Sequence, residues 1–513
     1  MGRLLGWLLK GAVRSFTNWH DYLMGPPDGS GDPLGSRRVV DKECCVTSLG
    51  WGTGKACEDD RRSTPRAAVE GVVNALRGAP RRETRIAFLV GLASLVLYAL
   101  VRHLVGVSMV DMVVYRAEGA AVAHGGNLYD IRVSEWKLPA TYPPFAAMLF
   151  TPTAWLPVGL LRVLVTAGNL VALGAFAYLS AVLAGWPRKA MRPALVFLAV
   201  GLGVWLEPVF TTLRYGQINL VLGVLVLYDL TRPDSRRSKG VAIGIAAAIK
   251  LTPGLFAVYL LLTGRIRAAF TAGLTCLGTM LLGFLLLPHA SRAFWTTYVF
   301  DTSRVGKEYI VDNQSLRGLV ERAMHTPDGG VVALLLTGLV GIAGLAIAVG
   351  IHRNAVGFPR ARAWSVLCVA ITAVLVSPIS WTHHWIWCVP MMVLLAAEAS
   401  EERSRARARA RAGTPRRRRV WRGTLIATGL AFCSFAMWLV PHKGLSNLHI
   451  SYLLQPFAAL YPLVGLAFLA LAGERLRRHL RRRRAAGPQS GPARPGGRVP
   501  GQAQPSSRDV LAG

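Results

Sequence analysis

Asp111, Lys250 and the adjacent pair His383 and His384 place ionisable side chains at the margin of, or inside, apolar sequence. Such groups are costly in a low-dielectric setting and need a partner, a wet cavity or a function. Asp111 opens VDMVVYRAEGAAVAHGGNLYD directly after the first apolar run. A carboxylate there works as a general base if its surroundings raise its pKa toward the working pH; the plain alternative is a helix-capping acid. Glu118, Asp130 and Glu135 are candidates for pairing with Arg116, Arg132 or Lys137, a structural role. Lys250 interrupts VAIGIAAAIKLTPGLFAVYLLL, where an ammonium must pair, face a cavity or snorkel to a surface. A phosphate is its natural partner. The histidines stand in SPISWTHHWIWCVP among Trp381, Trp385 and Trp387, residues of the interfacial belt. Two histidines at i,i+1 cannot chelate from one helical face, which favours an anion contact over a metal.

Neutral polar groups form a second set. RYGQINL carries Arg214, Tyr215, Gln217 and Asn219 just after Glu207, and Gln217 is suited either to orient a sugar hydroxyl or to cap a helix. DNQSLRG, from Asp312, offers Asn313, Gln314 and Ser315 as uncharged hydrogen-bonding groups, or as a solvated turn opening a helix. TYPPFAAMLFTPTAWLP, from Thr141 to Pro157, is too short to span comfortably and suits an interfacial or re-entrant position.

The elements that position these residues follow from composition. The chain has 59 Lys+Arg against 27 Asp+Glu, a net charge of +32, with 52% hydrophobic residues. That balance excludes a disordered chain. The charge suggests nucleic acid until it is located: ten arginines lie between Arg403 and Arg422 and ten more between Arg475 and Arg508. Runs such as IAFLVGLASLVLYAL and VVALLLTGLVGIAGLAIAVGI have the composition of membrane-spanning helices and exclude a soluble enzyme. Four of the seven cysteines lie in apolar runs as small hydrophobes, and Cys44, Cys45 and Cys57 lack zinc-site spacing. GWGTGKA, Gly50 to Ala56, misses the first glycine and the Ser/Thr of a phosphate loop. No cofactor and no metal site is expected.

Spans fall near 86–107, 157–184, 193–212, 216–231, 268–288, 329–351, 363–380, 383–398, 421–441 and 456–473. Short loops rich in Lys and Arg stay in the cytoplasm. A single crossing by Gly240–Gly264 would invert every later basic loop, whereas a re-entrant pair of half-helices broken at Lys250, Thr252 and Pro253 keeps them all on one side. The expected architecture is an all-α polytopic membrane protein of about ten spans, with three parts: a polar, disordered extension over 1–83, a membrane domain over 84–473 and a basic, disordered tail over 474–513. Both termini are expected in the cytoplasm of a multi-pass plasma-membrane protein. Loops 108–140 and 289–328, with nearly balanced charge, face outside and hold the chemistry.

The D-x-x-x-Y opening of loop 108–140 with its GGNLYD end, then YPPFAAMLF, GQINLVLGVLVL, AAAIKLTPGLFAVYLL, and DNQSLRG followed by SPISWTHHW, resemble the polytopic glycosyltransferases of family 87 over about Arg85 to Ala472. The resemblance implies a GT-C-type bundle and extracytoplasmic transfer of a hexose, most often mannose, from a polyprenyl-phosphate donor to a lipid-linked or glycan acceptor. It implies Asp111 as base, with Lys250 and His383 or His384 near the donor phosphate. From their own chemistry, Tyr115, Tyr129, Tyr215, Gln217, Asn219, Asn313 and Gln314 are the expected substrate-binding residues. The chemistry agrees: a lipid phosphate leaves readily against cationic side chains, and no D-x-D triplet of a nucleotide-sugar enzyme occurs. Membrane lipids are expected partners and nucleic acid is not. The alternative is a membrane transporter or a translocase of lipid-linked sugars; transporters often show a two-fold internal repeat, which this sequence lacks. A membrane anchor for a cytoplasmic partner would leave the outer motifs without a role.

Overall fold

Long apolar runs satisfy their own backbone groups only as helix when lipid surrounds them. The computed structural model describes residues 80–412, 420–441 and 444–485, and these are helical, with two isolated β-bridges and no strand. The extension through residue 79, with its GWGTGKA string and Cys44, Cys45 and Cys57, lies outside the described residues, as does the tail beyond 485.

In chain order the helices are α1 (Arg81–Val105), α2 (Val110–Ala123), α3 (Pro144–Phe150), α4 (Val158–Ala184), α5 (Arg192–Gly203), α6 (Glu207–Tyr215), α7 (Asn219–Thr231), α8 (Val241–Ile249), α9 (Gly254–Leu262), α10 (Ile266–Leu286), α11 (Pro288–Thr296), α12 (Leu316–Ala323), α13 (Gly330–Arg353), α14 (Ala361–Val376), α15 (Cys388–Arg411), α16 (Val420–Cys433) and, after a single turn at Gln455–Ala458, α17 (Leu460–Ala485).

Four helices, α1, α4, α10 and α13, are long and apolar enough to cross a membrane, and α5 with α6 makes a fifth if a 73° bend is allowed. Their outward faces are apolar: Leu104, Val171, Leu285 and Ile342 are each more than 70% exposed, as lipid-facing residues are. Of the remaining expected spans, α15 and α17 are long, at 24 and 26 residues, but run into Arg-rich sequence, and the others are shorter or interrupted. The 193–212 run breaks before Glu207-Pro208, because proline opens a new helix more readily than it continues one. Helices α7, α14 and α16 have 13, 16 and 14 residues. The 383–398 run starts as a 3-10 turn over Thr382–Trp387. At the other boundary, α17 continues to Ala485, past the expected start of the tail. Glu474 pairs with Arg477 and Arg478 along one helix face, and Arg475 is tied to Glu398 at 2.9 Å.

Helices α8 and α9 form a hairpin. Lys239 before α8 and Arg265 after α9 both reach Asp234, at 2.5 and 3.4 Å. Two half-helices of about 14 Å therefore leave and return to one end of the bundle, and Lys250, in extended conformation, stands at the far tip. Asp229 at the end of α7 accepts from the Gly240 and Ile243 amides at 2.9 and 3.0 Å, which supplies the α8 start with the cap its own sequence lacks. Gly240 has φ +107°, and a Cβ there would meet the Ala268 carbonyl oxygen at 2.2 Å, so α8 packs backbone-close on α10. Arg362 donates to the Leu230 and Arg232 carbonyls and Arg265 lies 3.2 Å from His352, which gathers three basic loops at this same end. Helix α14 is buried on every face and forms the axis of the core.

Candidate active site

The opposite end of the bundle collects the polar groups. Gly216, with φ +69°, ends α6, and a Cβ there would come within 2.8 Å of Met112 Cβ. Only glycine permits that turn beside α2. The Met109 amide donates to the Arg214 carbonyl at 3.0 Å and pins the start of α2 to the same turn. Asp111 and Gln217 are thereby neighbours although 106 residues separate them.

Gln217 is the hub. Its Nε2 donates to Asp111 Oδ2 at 2.8 Å and lies 3.5 Å from His383 Nε2. Its Oε1 accepts from the Tyr142 hydroxyl at 3.0 Å, from the Tyr115 hydroxyl and from the Ile218 amide at 2.9 Å. With the oxygen so occupied, the amide can present only N–H to Asp111, and that orients the carboxylate. The Tyr115 and Tyr142 hydroxyl oxygens also lie 3.0 Å apart, and Tyr115 stacks on Phe150 at 4.5 Å.

Lys250 Nζ donates to Asn219 Oδ1 at 3.1 Å and lies 2.8 Å from His384 Nε2. An ammonium only donates, so His384 accepts through Nε2 and is neutral, with its proton on Nδ1. Asn219 Nδ2 donates to the His383 carbonyl at 3.0 Å, and the Tyr215 ring meets His383 edge to face at 5.5 Å. The hydrogen-bond partners of the Lys250 ammonium are thus neutral, and its carboxylate neighbour, Asp111, acts on it only through space.

Asp111 is half-buried on α2, outside the long apolar helices. Burial pushes its pKa up to about 6, against the lowering effects of the Lys250 charge and the Gln217 hydrogen bond. Such a carboxyl is ionised near neutrality yet basic enough to take a proton. Glu118, two turns further along α2 and fully buried, does not pair with Arg116, Arg132 or Lys137; instead it accepts from the Thr141 amide at 3.3 Å. Desolvation outweighs that hydrogen bond and raises its pKa to about 8. Among the described residues Asp130 and Glu135 make no ion pair either; Asn127 donates to Asp130, and Arg116 and Arg132 spend their hydrogens on backbone carbonyls.

The structure therefore brings Asp111, Tyr115, Tyr215, Gln217, Asn219, Lys250, His383 and His384 together. Tyr129 stands one step back, where its hydroxyl donates to the Tyr142 carbonyl at 2.9 Å. Asn313 and Gln314 are fully buried and act on the fold. All four of their amide hydrogens go to backbone carbonyls, of Glu308, Pro378, Val311 and Ala458, so neither has a hydrogen left for a sugar. Tyr142 is the site residue absent from the sequence-derived set. Its signal was a tyrosine held rigid before the Pro143–Pro144 pair, in a segment otherwise suited to packing.

Comparison with known proteins joins this geometry to a family. The model of glycosyltransferase family 87 matches residues 140–378, which contain Gln217, Asn219 and Lys250. A polyprenol-phosphate-mannose-dependent alpha-(1-2)-phosphatidylinositol pentamannoside mannosyltransferase of Mycobacterium tuberculosis (strain CDC 1551 / Oshkosh) is 34% identical over 354 residues, 67% of this chain and 79% of that protein. A polyprenol-phosphate-mannose-dependent alpha-(1-2)-phosphatidylinositol mannoside mannosyltransferase of Mycolicibacterium smegmatis is 33% identical over 346 residues, 63% of this chain and 74% of its own. No solved structure matches. With four-fifths of a curated relative aligned at this identity and the matched region framing the Gln217–Lys250 site, the chain belongs to glycosyltransferase family 87.

Proposed function

We propose that this enzyme transfers mannose, in α-1,2 linkage, from a polyprenyl-phosphate donor to a phosphatidylinositol-mannoside-type glycolipid. The observation that carries the reading is the juxtaposition of a base and an unneutralised cation: Asp111 held by Gln217, beside Lys250 held by Asn219 and His384. In an inverting displacement the acceptor hydroxyl attacks the anomeric carbon and gives its proton to Asp111. The bond from that carbon to the phosphate oxygen breaks, and the phosphate leaves toward Lys250 and the histidines. Fixed donors aimed at the developing charge lower the barrier because no solvent must reorganise. The side chains of Tyr115, Tyr142 and Tyr215 stand beside this network and help to hold Gln217 and His383 in place.

The names of the relatives support the donor and the acceptor class. The charge distribution supports the topology: about ten crossings, counting short and bent helices, in a GT-C-type bundle with the α8–α9 hairpin re-entrant from the basic side. In this arrangement the basic end and both termini face the cytoplasm of a plasma-membrane protein, and the site faces out. The test is direct. Membranes containing the chain are given labelled polyprenyl-phosphomannose and phosphatidylinositol mannosides, and mannosylated glycolipid is the expected product. Donor that crosses the membrane without sugar transfer would contradict the reading.

A further inference from the structure

One hydroxyl beside the Lys250–His384 pair is unspent. Ser380 is 1% exposed, and its Oγ is buried with no hydrogen-bond partner. It lines a cavity of about 50 Å³ together with Asn219, Lys250 and His384, with Phe256 and Trp387 among its apolar lining. Ser377, the other serine of the cavity, is satisfied by the Ile379 carbonyl at 2.8 Å. A buried hydroxyl without a partner costs stability, and its persistence needs a reason.

Its position is set from both sides by the 312–314 turn. The Ser380 amide donates to Asn313 Oδ1 at 2.8 Å, the Ser380 carbonyl accepts from the Gln314 amide at 2.8 Å, and the Thr382 amide donates to the Asp312 carbonyl at 3.0 Å. Asn313 and Gln314 are thus committed to fixing a backbone whose side chain has no protein partner. A preorganised donor next to a cation suits an anionic oxygen.

We propose that the Ser380 hydroxyl is a donor-phosphate contact, hydrogen-bonding a phosphate oxygen of the polyprenyl-phosphate sugar alongside Lys250. The inference rests on the reading that this phosphate binds at Lys250. The test uses the full chain in lipid nanodiscs, a short-chain polyprenyl monophosphate as probe, and the unphosphorylated polyprenol as control. Ser380→Ala should weaken phosphate binding by about 10-fold and leave polyprenol binding unchanged, while Ser380→Thr, which keeps the hydroxyl, restores it. The ligand-free Tm of Ser380→Ala should not fall, because the removed hydroxyl had no partner. Unchanged phosphate binding in Ser380→Ala, with binding weakened in Lys250→Gln, would overturn this inference and leave the donor site standing. A lowered ligand-free Tm with unchanged binding would assign the hydroxyl to the fold and overturn it as well. Unchanged binding in Lys250→Gln would overturn both.

Discussion

The two ends of the bundle treat their cations in opposite ways. At the basic end, Lys239 is 1% exposed and donates to the Asp234 carboxylate at 2.5 Å and the Arg232 carbonyl at 2.8 Å. Nearby, Glu398 takes Arg475 at 2.9 Å and Arg360 at 3.4 Å, with the Trp364 indole at 3.0 Å. Arg475 is further enclosed by the rings of Phe358, Trp364 and Trp421, each within 5.4 Å. At the other end Lys250 has Asn219 and His384, both neutral. A cation already neutralised by carboxylates holds helices together. A cation held by neutral groups keeps its charge available for an anion that arrives and departs.

That contrast can be broken in several places. The largest effect is expected at Asp111→Asn, which keeps the shape and the Gln217 contact but removes the base; kcat should fall by about 10²–10⁴ with donor binding retained, in a labelled-mannose transfer assay. Glu398→Ala should do the reverse. Arg475 is left without its buried carboxylate, while Arg360 keeps Glu401 at 2.6 Å; the chain should lose about 3 kcal/mol, read as a lowered Tm, while the folded fraction keeps its specific activity.

A smaller effect separates the ends by pH. Asp111 must be ionised to accept a proton, and its pKa is raised to about 6. As pH falls through that value the base is protonated, so kcat/KM should drop about tenfold per unit on the acid side and level off above about 7. A profile flat from pH 5 to 8 would remove Asp111 from the base role. The smallest effect is expected at Tyr142→Phe, which takes one of three donors from Gln217 Oε1. A loss of about fivefold in kcat, or ~1 kcal/mol, with KM for donor nearly unchanged, would mark an orienting role.

Particular residues show what sequence could reveal. The α8–α9 hairpin was legible because charge is a global constraint: a single crossing at Lys250 would have inverted the later basic loops, and the structure joins Lys239 and Arg265 at one aspartate. Asp111, Lys250 and the histidines were legible because an ionisable group beside apolar sequence is expensive. The α5–α6 bend escaped a hydropathy window, which averages over Glu207-Pro208. The roles of Gln217, Asn313 and Gln314 were hidden for another reason. An amide reads as a sugar contact until its partners are known, and partners here lie 106 and 147 residues away. Tyr142 carries no such signal, because its hydroxyl gains a role only once α2 and the turn after α6 meet.

The central claim, that the cation lacking a bonded carboxylate is the phosphate site, is tested most directly by measuring polyprenyl-phosphate affinity in the matched pair Lys250→Gln and Lys239→Gln. Binding should weaken by about 10- to 100-fold in the first and stay at the wild-type level in the second. Equal affinities in the two variants would contradict it.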